Sequence, residues 1–475
     1  MWSRAVVTDA FLRSVVKDVS VNRNDRAITG LVMLAHSLVH TYELAFPVLI
    51  PIWLAEFDTT AALIGLVVTI GLSLFGLGSL PAGVLADRRG SQPLIVVCLL
   101  GMGTAFLLVS AAPNLVVLTL ALVVWGAAAS VYHPAGLSLI TKGVEERGNA
   151  FAYHGTAGNV GTAAGPLLVT VLLFALGGDW RIAAAVLAIP ALAGAVVTVR
   201  INIEESAALA PTTANGGTRT DGGAGGTDGS ARTGDGTGDK DDDADTGGCG
   251  DVADGENAGG RGSKASPGVD SFADFVSTSG TLLTGAFVVV FAAVMLSGLY
   301  YRGVLTFLPA LLSGFETIGP VSLAGRTIES GRIIFTGLLT VGVLGQFTGG
   351  KLTDRVPVEL GLVVGYGALA VVALGYVPAA NAGLVPILVL SAVLGFVLFF
   401  VQPFYQATVA EYSPPEARGL SYGYTYLGVF GVGALGASIA GAILTYFSRF
   451  ALFVALAAFA LGASGLAAVL YARGR

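Results

Sequence analysis

The chain has 475 residues, 54% of them hydrophobic and 12% charged, with a formal net charge of -6. A soluble domain is about 25% charged, so this composition, with a mean hydropathy of +0.77, excludes an ordinary water-soluble globule and the enzymes built on one.

Met1–Arg26 does not read as a cleaved signal peptide. Val7, Ala10, Phe11, Ser14 and Val15 fall at helical spacing, which suits either a helix on the membrane surface or a plain cytoplasmic tail. Twelve apolar runs follow, at 28–52, 61–83, 93–111, 115–140, 150–176 and 181–199, then 280–312, 329–350, 359–377, 384–409, 420–446 and 449–471. Each has about the 20 residues a helix needs to cross hydrocarbon, where every backbone polar group must bond internally. The runs are continuous rather than alternating, which argues against a membrane barrel. The expected fold is an all-α membrane protein.

Residues 203–268 separate the sixth run from the seventh and are rich in Gly, Asp and Thr. From Arg200 to Asp270 there are fourteen acids and six bases. Such sequence buries too little apolar surface to fold and reads as a disordered tether. Only five of the 25 basic residues are lysine, a balance that suits a salty cytoplasm. Cys98 sits in an apolar run and Cys249 in the tether, so no disulfide is expected.

The two halves resemble copies of each other. Gly83-Val84-Leu85-Ala86-Asp87-Arg88 returns as Gly350-Lys351-Leu352-Thr353-Asp354-Arg355, 267 residues later. His133-Pro134 and Glu146-Arg147-Gly148 match Gln402-Pro403 and Ala417-Arg418-Gly419, at offsets of 269 and 271. Same-direction copies are the mark of parallel repeats about an axis along the membrane normal. The expected domains are a tail at 1–27, a six-helix bundle at 28–200, a linker at 201–270 and a second bundle at 271–475. One side of the membrane carries 20 of the 25 Lys and Arg residues, the other only Arg181, Arg326, Arg332 and Arg449. Both termini and the tether are therefore expected in the cytoplasm, in a protein of the cell membrane.

Gly83–Gly90 (GVLADRRG) resembles the loop signature of the major facilitator superfamily, and the two parallel bundles resemble its architecture. Ala35-His36-Ser37-Leu38, Val131-Tyr132-His133-Pro134, Gly158-Asn159-Val160-Gly161 and Gly165-Pro166-Leu167-Leu168 are similar to fosmidomycin-resistance-type efflux proteins within it. The resemblance implies a monomer with a central cavity lined by spans 1, 4, 7 and 10, working by alternating access. Pro357 replaces the last glycine of the second loop copy, and Leu167-Leu168 replaces the glycine pair of many antiporters.

His36, His40 and Glu43 stand at i, i+4 and i+7 on one helical face. Ionisable groups at membrane depth face a cavity or a partner, so Glu43, with either histidine, is the expected proton site. The competing reading is a neutral, hydrogen-bonded carboxyl. Arg302, beside Tyr301, offers a fork for a carboxylate or phosphonate; it could equally pair with Glu43 or snorkel outward. Tyr132, His133, Gln402, Tyr405 and Gln406 complete the expected solute site. Gly83, Asp87, Arg88 and Gly90, with Asp354 and Arg355, form the expected gating loops. Gly158, Gly161, Gly165 and Pro166 offer a smooth packing face, which the resemblance directs toward the eighth span. His154 reads as structural. No histidine spacing forms a closed ligand set and no cysteine lies near, which argues against a metal. No P-loop spacing is present, and the acidic tether disfavours nucleic acid.

The expected function is secondary active transport without a cofactor: proton-coupled efflux of a small organic solute or drug, with an anion favoured. The alternatives are proton- or sodium-coupled uptake of an organic acid, and a non-transporting sensor or scaffold.

Overall fold

The computed structural model describes residues 22–209, 272–283, 285–414 and 418–473. The surface-helix reading of the first residues, and nearly all of the tether, lie outside these. Among the described residues, twelve helices are long and apolar enough to cross a membrane. In chain order they are α1 (Arg23–Glu56), α2 (Ala61–Ala86), α3 (Ser91–Ser110), α4 (Leu115–Gly143), α5 (Arg147–Ala175) and α6 (Trp180–Arg200). The second half holds α7 (Ala286–Ser313), α8 (Ser330–Leu352), α9 (Val358–Ala382), α10 (Leu384–Glu411), α11 (Leu420–Tyr446) and α12 (Arg449–Arg473). A short hairpin, β1 (Val321–Leu323) and β2 (Arg326–Ile328), joins α7 to α8.

Local chemistry sets the helix ends. Asn22, Thr60, Asn114 and Asp179 each accept hydrogen bonds from first-turn amides of α1, α2, α4 and α6, the role for which Asn, Thr and Asp are favoured at helix starts. The seventh run is shorter than its hydropathy suggests. Gly285, with φ of 62°, separates a short helix, Phe272–Leu282, from α7. Three spans break along their length, α2 at Gly78, α4 at Val131 just before His133-Pro134 and α11 at a π-helical turn over Leu427–Val432. Such turns recur at functional sites because they re-aim the side chains around them.

Residues 201–209 do not belong to the tether. Ile201 and Ile203 pack against the core, and Glu205 accepts from the amides of Ser91 (2.6 Å) and Gln92 (2.8 Å) at the start of α3. Buried Asp25 holds the α4–α5 turn through the amides of Glu145 (3.2 Å) and Glu146 (3.3 Å).

The halves meet most closely along α2 and α11. Gly65, Gly76 and Gly441 sit directly on the backbones of Ala437, Gly431 and Ala61. Ala62 N donates to Thr445 Oγ1 at 2.9 Å, and Thr69 Oγ1 donates to the Ala434 carbonyl at 2.9 Å. The glycines of α5 behave otherwise than expected. Gly158 faces the His36 ring, Gly161 the Ser37 carbonyl and Gly165 the Thr41 carbonyl. They let α5 lie close against α1 of its own half, and Pro166 is buried in the same helix; α5 also meets α8 as expected, with Leu167 and Thr170 facing Ile333 and Thr336.

Candidate functional site

The i, i+4, i+7 face of α1 is continuous in the structure. His36 Nδ1 donates to the His154 carbonyl at 2.7 Å. Its Nε2 lies 3.1 Å from His40 Nε2, and His40 Nδ1 lies 2.6 Å from Glu43 Oε2. Glu43 Oε1 then accepts from Arg302 Nη2. One chain of polar groups thus runs from α5 through α1 to α7, crossing from one half to the other.

The hydrogens can be assigned by counting. A carbonyl only accepts, so His36 Nδ1 carries hydrogen. A carboxylate paired with arginine also accepts, so His40 Nδ1 carries one too. If both imidazoles were neutral, two Nε2 lone pairs would face each other; one additional hydrogen between them resolves the clash.

Two more histidines close around this chain. His154 stacks on His36 with ring centroids 3.8 Å apart. His133 stands edge-on to His36 at 5.2 Å, and its centroid lies 5.6 Å from that of His40. Neither His133 Nδ1 nor His154 Nε2 meets a hydrogen-bond partner among the described residues. Sequence spacing hid this group because its members come from α1, α4 and α5. The candidate ligand nitrogens of His36, His40 and His133 lie within 4.8 Å of one another, so the fold supplies the set of imidazoles that spacing did not. From the second half, Tyr426 and Phe430 of the broken α11 cover His133, at 4.9 Å and 6.2 Å.

The other expected residues are placed differently. Tyr132 is fully buried, stacks on His36 and donates its hydroxyl to the Val32 carbonyl, so it braces α1. Arg302 is bound to Glu43, the pairing alternative, and its guanidinium carbon lies 5.3 Å from the Phe430 ring centre. Tyr301 stands edge-on to Phe399 at 6.2 Å. Gln402 and Tyr405 are half-buried, whereas Gln406 is exposed. The cavity bordered by Glu43 and Arg302 measures about 10 Å³, barely room for one water. Its walls come from α1, α2 and α7, so this space is too small to hold an organic solute.

In the signature loop the turn is made by Gly90, with φ of 84°, whereas Gly83 is helical and a Cβ there would touch nothing. Arg88, Asp354 and Arg355 are exposed; the Asp87 side chain is outside the described atoms. On the opposite face, Arg181, Arg326 and Arg449 each donate to carbonyls at the ends of α3, α5 and α7. Arginine there offsets the negative end of the helix dipole.

A twelve-span bundle with a charge pair linking its halves defines a class of membrane transporter, and the comparisons specify it. Residues 31–437 match the Major Facilitator Superfamily, and the chain belongs to that family. A bacterial homolog of the human lysosomal transporter Spinster, inward-facing and occupied, is similar in fold, with a TM-score of 0.65 at 14% identity, covering 94% of this chain and 97% of its own. The same homolog, unoccupied, gives 0.62 at 15% identity, with 95% of each chain covered. A point mutant of the nucleoside transporter NupG gives 0.67 at 12% identity, covering 94% of this chain and 100% of its own. No curated protein matches. The family makes the chain a multi-pass transporter of small solutes and not an enzyme.

Proposed function

We propose that this chain couples protons to the movement of a small organic anion across the cell membrane, with both termini in the cytoplasm. The carrying observation is the polar chain His36–His40–Glu43–Arg302, which joins the two halves through the one buried acid–base contact between them among the described residues. A carboxylate- or phosphonate-bearing solute competes with Glu43 for the Arg302 fork. The displaced carboxylate, buried and without its cation, takes the hydrogen shared by the histidines. Anion and proton therefore bind together, which by linkage makes them travel together. This argument favours uptake driven by an inward proton gradient.

A solute that carries a cation instead would replace the proton on Glu43, and the same site would then run as an efflux antiporter. The topology rests on the Lys and Arg distribution and gains support from the use of three opposite-face arginines as helix caps. Proteoliposomes with an imposed pH gradient and a panel of organic acids test the reading. Accumulation when the outside is acidic, lost in Glu43→Gln, is the expected result. Accumulation only when the inside is acidic reverses the direction, and undiminished pH-driven flux in Glu43→Gln removes the proposed coupling.

A further inference from the structure

We propose that His36, His40 and His133 bind one divalent transition-metal ion of the zinc, cobalt or nickel type. Two histidines at i, i+4 on one helical face are the spacing by which helices grip zinc. Their Nε2 atoms lie 3.1 Å apart; two nitrogens on a tetrahedral ion, at bonds of about 2.0–2.1 Å, stand about 3.3 Å apart. The pair needs almost no movement to share an ion.

The outer contacts of these rings are those of metal-ligating histidines. Such histidines hold their far nitrogen against a carbonyl or carboxylate, which fixes the tautomer and aims the other lone pair at the metal. His36 gives Nδ1 to the His154 carbonyl at 2.7 Å, and His40 gives Nδ1 to the Glu43 carboxylate at 2.6 Å. The third ligand comes from α4. His133 is 3% exposed, and its Nδ1 meets no partner among the described residues. The ligand nitrogens of the three rings lie within 4.8 Å of one another, and His133 moves inward to reach the ion. Three imidazoles suit borderline ions and disfavour magnesium or calcium, which require oxygen. All three ligands belong to the first half, so movement between the halves leaves the site intact.

Purified full-length protein in detergent, titrated with Co²⁺ at fixed pH, tests the site without any transport assay. The failure of this site is thus separable from failure of proton coupling. The expected result is one Co²⁺ per chain with the strong visible absorption of a four-coordinate ion, and binding more than about 100-fold weaker in His133→Ala, beyond the loss typical of second-shell changes. Zn²⁺ should raise the melting temperature of the wild type and Mg²⁺ should not, a readout that stands even if the variant misfolds. Absence of Co²⁺ binding, equal binding in a folded His133→Ala, or equal melting shifts with Zn²⁺ and Mg²⁺ would overturn it.

Discussion

Glu43 on α1 and Arg302 on α7 form an ion pair whose side chains are only 1% and 4% exposed. The two partners are not equivalent when the pair is broken. Arginine cannot shed its proton, whereas a stranded carboxylate can take one. Glu43→Gln, which leaves a buried cation, should lower stability by about 3–5 kcal/mol. Arg302→Gln should cost less, about 1–3 kcal/mol, because Glu43 is neutralised and keeps His40. Melting curves in detergent measure both, and a larger loss in Arg302→Gln would contradict the pairing argument.

Alanine at Gly158 and at Gly161 should give different defects. A Cβ at 158 meets the movable imidazole of His36, including Nδ1 at 2.7 Å, and displaces it from its carbonyl. A Cβ at 161 meets the Ser37 backbone, which cannot swing aside. Gly161→Ala should therefore destabilise by about 1–3 kcal/mol through overpacking. Gly158→Ala should melt nearer to wild type while losing most pH-driven flux.

The contrast between those two glycines also marks what sequence could and could not reveal. Membrane spans are legible because each must satisfy its own backbone, so length and apolarity suffice. His36, His40 and Glu43 were legible as one face because helical spacing fixes relative direction along a single helix. Arg302 as partner was one of three readings, since only packing sets the rotation of α7 against α1. His133 and His154 joined the group through helix–helix placement, which leaves no local signal. The α5 glycines signalled a close neighbour without naming which helix. Asp25 and Glu205 were missed because capping of a distant helix has no fixed spacing.

Arg326, from the β1–β2 hairpin of the second half, donates to the Phe174 and Ala175 carbonyls at the end of α5 in the first. This tie spans the face opposite the α2–α3 and α4–α5 loops, where α2 and α11 are also joined. Arg326→Ala removes one latch and leaves the cores untouched, so the melting loss should stay near or below about 1 kcal/mol. The distribution of states should nevertheless shift toward opening on that face. Spin labels at Asp58 and Ser322 should report a greater share of long distances in the variant. An unchanged distribution would show that α2 and α11 alone keep that face shut.

Glu205 offers a separate test on the other face. Its two carboxylate oxygens accept from Ser91 and Gln92 at 2.6 Å and 2.8 Å, where the start of α3 would otherwise leave amides without partners. The negative charge also faces the positive end of the helix dipole. Glu205→Gln keeps one acceptor and loses the charge, so it should cost about 0.3–1 kcal/mol. Glu205→Ala loses both bonds at a largely buried helix end and should cost about 1–3 kcal/mol. Hydrogen exchange at the Ser91 and Gln92 amides should quicken in the same order. If alanine and glutamine were indistinguishable from wild type in both measurements, the segment after α6 would not be fastening α3, and residues 201–209 would belong functionally to the tether.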